Sequence, residues 1–155
     1  MPLIEGTLVD EVFMREPRFA ALFTTGEKMS EAGSTKYLSI AMVAVGLIFI
    51  FGIYPLTIIW PSGWSWHTGQ SHYLQMILGV YATLGVFLLI ASRKPLANLS
   101  LIWFTVWSSA VHAGIMAVQS FSSPEHMGHL WGDVLALFVV AGALAALTPR
   151  NTATP

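Results

Sequence analysis

Hydrophobic residues in this chain come in long runs separated by short polar clusters. No charged residue lies between Tyr37 and Trp60, or between Gly69 and Ser92. Leu96 to Ser123 is also uncharged, and His126 to Leu147 contains one acid, Asp133. Each run exceeds the roughly 20 residues that a helix needs to cross a hydrocarbon core about 30 Å thick. A helix satisfies its own backbone hydrogen bonds, and the short alternating segments of a membrane barrel are absent from the sequence. The pattern predicts four transmembrane helices, near 37–59, 71–92, 97–120 and 126–147. Trp60-Pro61-Ser62-Gly63, Arg93-Lys94-Pro95, Ser122-Ser123-Pro124 and Thr148-Pro149-Arg150 punctuate them. Connections this short join antiparallel neighbours. The expected fold is all-α, an up-down four-helix membrane bundle over 37–148, between a tail at 1–36 and a short tail at 149–155.

Composition narrows the function classes. Of 155 residues, 55% are hydrophobic and 10% charged, against about 25% charged in an average soluble protein. A disordered chain and an ordinary soluble enzyme are excluded, and a net charge of −1 gives no handle for nucleic acid. Without cysteine there is no disulfide, thiolate zinc site, iron–sulfur cluster or cysteine nucleophile.

The basic residues predict orientation. Arg15, Arg18, Lys28 and Lys36 precede the first helix, Arg93 and Lys94 lie in the middle connection, and Arg150 follows the last helix. All seven fall on one side, which predicts cytoplasmic termini. The first 36 residues have no apolar core of the signal-peptide kind and carry six acids against four bases. Val9, Val12, Phe13, Phe19, Leu22 and Phe23 can form an apolar face on two short helices broken at Pro17. An acidic face gains nothing from anionic lipid, so the tail is expected to dock on a partner protein; a partly ordered tail is the alternative.

All five histidines lie on the side that lacks Lys and Arg. His72, Met76, Gly79 and Thr83 follow 4-3-4 steps in the second helix, as do Thr105, Ser109, His112 and Met116 in the third in 4-3-4 order. His126, His129 and Asp133 extend the pattern to the fourth. Polar side chains of membrane helices face the bundle interior, so the stripes are expected to converge in one outer layer. A carboxylate such as Asp133 at that depth needs a partner, a proton or a cation. Three readings stand. An Asp–His bond to His129 or His112 is purely structural. His72, His112, His129 and Asp133, with Met76 and Met116 optional, form a copper or zinc site. Alternatively His112 with His72 or His129 holds a single haem b.

Trp60, Trp64 and Trp66 suit an interfacial belt, and Gly46, Gly79, Gly85, Gly114 and Gly142 allow close helix approach. Phosphate-loop, GxSxG and HExxH motifs are missing from the sequence, and no catalytic residue is assigned. The segments Tyr54-Pro55, Trp60-Pro61-Ser62-Gly63-Trp64, Gly69-Gln70-Ser71-His72-Tyr73-Leu74-Gln75-Met76, Ser100-Leu101-Ile102-Trp103-Phe104-Thr105 and Gly128-His129-Leu130-Trp131-Gly132-Asp133-Val134 carry a resemblance. Over about residues 37–148 the chain resembles a group of small bacterial four-helix membrane proteins with a domain of unknown function. The resemblance implies the fold and an inner-membrane location, and the one-sided basic residues then put the histidines on the periplasmic side; the tail departs from the group's pattern. Two functions are expected: an accessory subunit of a larger membrane complex, or a stand-alone or homo-oligomeric protein with a metal or haem redox site. Lipid or quinone binding in an outer cavity stays open.

Overall fold

The computed structural model describes residues 33–66 and 71–149. Four helices long and apolar enough to cross a bilayer run through them. The spans are Gly33–Ile59, His72–Ala91, Pro95–Ser120 and Pro124–Leu147, and they contain α1 (Gly33–Ile59), α2 (His72–Ala91), α3 (Leu99–Ser120) and α4 (Asp133–Leu147). Short 3₁₀ segments, Pro95–Asn98 and Pro124–Leu130, lead into α3 and α4. No strand occurs among the described residues. The chain is a multi-pass membrane protein with the all-α, up-down four-helix fold its charge gaps imply, and it contacts lipid. The tail expected to dock lies, up to residue 32, outside the described residues, as does His67.

Local sequence explains the irregularities. Pro55 has no N–H to donate to Phe51, and α1 resets its ladder just upstream in a π-helical turn, Ile48–Gly52. Ser71 caps α2, its hydroxyl accepting from the Leu74 N–H at 3.3 Å. The apolar run predicts a helix from residue 126. The chain instead stays 3₁₀ to Leu130 and turns at Gly132 before α4 begins.

We call the end carrying residues 60–66, Ser71 and 121–132 the histidine end, and the opposite one the basic end. At the basic end all four helices share a core that includes Leu38 and Met42 of α1, Leu88 of α2, Ile102 of α3 and Leu144 of α4, each fully buried. The Ser39 hydroxyl donates to the Ser92 carbonyl at 2.6 Å, tying α1 to the end of α2. Mid-bundle, α1 and α2 cross backbone to backbone. A Cβ on Gly46 would stand 2.9 Å from the Gly85 carbonyl oxygen, and one on Gly85 2.6 Å from that of Gly46. At the histidine end the buried core narrows to Ala113 and Met116 of α3 with Val134 and Leu137 of α4. The outward faces, with Phe51, Ile59, Phe87, Trp107 and Val139 exposed, suit lipid.

Candidate functional site

Asp133 opens α4, where a carboxylate meets the unpaired N–H groups of the first turn. Its Oδ1 accepts from the Val134 N–H at 2.8 Å. Its Oδ2 accepts from the Trp66 indole Nε1 at 3.1 Å and is joined to His129 Nδ1 at 3.0 Å. The Trp66 ring stacks on His129 with centroids 4.1 Å apart, and His126 lies tilted beside it at 4.9 Å. His129 is 1% exposed and Asp133 7%. The acid therefore has both oxygens occupied, and Trp66 links the first connection to the last.

Glycines make that link possible. A Cβ on Gly128 would run into the Ser62 carbonyl, and one on Gly132 into the Gly63 carbonyl. The short helix Pro61–Trp64 thus lies backbone to backbone on the segment that carries His129 and Asp133. Only residues without a side chain permit this approach.

Beside the network, the narrowing of the core leaves a chamber of about 590 Å³ between α2 and α3. Leu74, Ile77, Leu78 and Tyr81 of α2 face His112, Ile115, Met116 and Gln119 of α3 across it. Trp64, Trp66, His126 and Asp133 line its polar end, and Ile53 of α1 closes one side. Tyr73 and Ile115 on its lining are 67% and 55% exposed, so the chamber opens to the lipid-facing surface. His112 touches Tyr81 edge-on, centroids 5.8 Å apart. A second cavity of about 650 Å³ lies on the other side of Trp66 and His126, lined by Tyr54, Thr57, Gln75 and Glu125 among others.

The structure brings part of the expected constellation together. His129 and Asp133 bond directly, and His112 and Met116 share the chamber with Asp133. The α3 stripe faces inward: Thr105, Ser109 and Met116 are buried and His112 is half-buried. The α2 stripe does not converge with it. His72, Met76, Gly79 and Thr83 are all exposed, Met76 at 63%. The reason is the Gly85 crossing, which turns Gly85, Leu88 and Ala91 towards the core and leaves the stripe on roughly the opposite side of the helix. Among the described residues no three of His, Asp and Glu stand close enough to hold a metal ion. Of the glycines expected to admit close approach, Gly46 and Gly85 do so, whereas Gly79, Gly114 and Gly142 have nothing within 4 Å of a built Cβ. Sequence reading passed over Tyr81, Gly128 and Gly132 and treated Trp66 as belt. The four-residue spacing of Gly128 and Gly132, a small-xxx-small pattern, was the available signal for the last connection.

The profile of a family of unknown function, DUF6632, matches residues 32–154, which takes in all four helices. No curated protein and no solved structure matches the chain.

Proposed function

Because the chain belongs to DUF6632, a family of unknown function, we propose its role from its geometry: it is an accessory subunit of a larger membrane complex. The observation that carries this is the outward α2 stripe. His72, Gly79 and Thr83 are polar or small, and all face away from the bundle. Thr83 satisfies its hydroxyl on the Gly79 carbonyl at 2.9 Å, leaving a shallow groove over Gly79. Lipid gains little from such a face, whereas a transmembrane helix of a partner packs closely on small residues. The acidic tail supplies a second attachment on the cytoplasmic side. In this reading both termini face the cytoplasm of a bacterial inner membrane and the histidines face the periplasm, as the one-sided basic residues favour.

The test is native electrophoresis of membranes expressing Gly79→Leu, a chain lacking residues 1–30, or both. Nothing lies within 4 Å of a Cβ at Gly79, so the leucine leaves the isolated bundle folded while blocking the groove. Loss of the high-mass species in either variant is expected. A complex that survives the double change unaltered overturns the reading, and a species containing only this chain makes it a homo-oligomer. On the subunit reading the His129–Asp133 bond is structural. A Soret band, or near-stoichiometric copper or zinc lost in His112→Ala, would instead favour a redox site built on His112, Met116, His129 and Asp133.

A further inference from the structure

We propose that the chamber between α2 and α3 binds the head of a lipid-soluble quinone, a flat neutral ring with carbonyl oxygens on an isoprenoid tail. Four observations on the wall converge on this chemistry. First, two polar side chains lining it have no hydrogen-bond partner among the described residues: the His112 imidazole and the Tyr81 hydroxyl. Polar groups at membrane depth are costly when unsatisfied, and a ligand bearing oxygens satisfies them. His112 lies eight residues from the end of α3 at Ser120, which puts it about 12 Å below the histidine end at 1.5 Å per residue. A lipid headgroup, anchored at the interface, does not reach so far.

Second, aromatic side chains line this space, Trp64, Trp66, Tyr81 and His112, and offer contacts for a planar ring. Third, charge selects a neutral ligand. No Lys or Arg lines the chamber, and Asp133 stands on its wall, so a phosphate would be repelled rather than held. Fourth, the volume of about 590 Å³ falls within the roughly 300–1,000 Å³ of small-molecule sites, and the exposed rim at Tyr73 and Ile115 gives the tail a path into lipid. The proposal concerns binding and does not depend on what covers the outward face of α2.

The full chain, reconstituted in lipid nanodiscs, is titrated with decylubiquinone while its tryptophan fluorescence is followed. Saturable quenching at one quinone per chain is expected. Tyr81→Phe removes only the hydroxyl and His112→Leu removes the imidazole; each should weaken binding roughly five- to tenfold, the value of one lost hydrogen bond. Phe104→Leu, on the lipid face near the basic end, should change nothing. Should His112→Leu fail to fold, Tyr81→Phe alone carries the comparison. Quenching that rises linearly with quinone and is identical in the wild type and Tyr81→Phe overturns the proposal. So does an organic extract of the purified chain that contains phospholipid alone and a protein whose quenching that phospholipid abolishes.

Discussion

Asp133 is costly in a bilayer only while its oxygens lack partners, and Val134, Trp66 and His129 fill them. Removing the acceptor should therefore hurt more than removing one donor. Asp133→Leu takes the partner from all three groups at once and is expected to lower stability by about 2 kcal/mol, whereas Trp66→Phe keeps the stack on His129 and should cost about 1 kcal/mol. Thermal unfolding in mild detergent checks the order; equal losses would mean that the network is not shared as the distances imply. Half of this network was legible from a spacing of four between His129 and Asp133, which any helix-like turn brings together. The other half was not, because Trp66 meets Asp133 across 67 residues of sequence. A tryptophan beside a membrane interface needs no such partner to explain it.

Each helix presents the same difficulty one level up. A membrane helix is apolar all round, so periodicity alone does not say which face is buried, and polarity is the usual guide. In α3 that guide worked, placing Thr105, Ser109 and Met116 inside. In α2 a backbone crossing at Gly85 overrode it and turned His72 and Met76 outwards. The glycines then separate into two kinds. Gly85→Ala must push its Cβ to 2.6 Å from the Gly46 carbonyl oxygen, and Gly132→Ala must displace the Gly63 carbonyl. Both should cost about 2–3 kcal/mol, since the obstacles are backbone and no rotamer relieves them. Gly142→Ala, inside α4 with nothing within 4 Å, should leave the unfolding temperature unchanged or raise it slightly. A loss at Gly142 as large as at Gly85 would place an unrecognised partner against α4.

For the molecule as a whole, gaps between charges are enough to count the helices, because every charged residue in a hydrocarbon core carries a penalty and a sequence avoids it. The chamber is a different matter. It depends on four helices closing together at the basic end and only two sharing the buried core at the histidine end, and no single helix records that. Orientation belongs to the same scale and is open to direct measurement. The chain has no cysteine, so one introduced thiol reports one position. Ser123 lies in the connection between α3 and α4, and Ala97 is exposed in the one between α2 and α3, at the opposite end. With Lys36, Arg93 and Lys94 at the Ala97 end and the positive-inside rule as guide, Ser123→Cys should react with a membrane-impermeant maleimide on intact spheroplasts. Ala97→Cys should react only after lysis. The reverse pattern would put the histidine end in the cytoplasm and overturn the orientation that the basic residues predict.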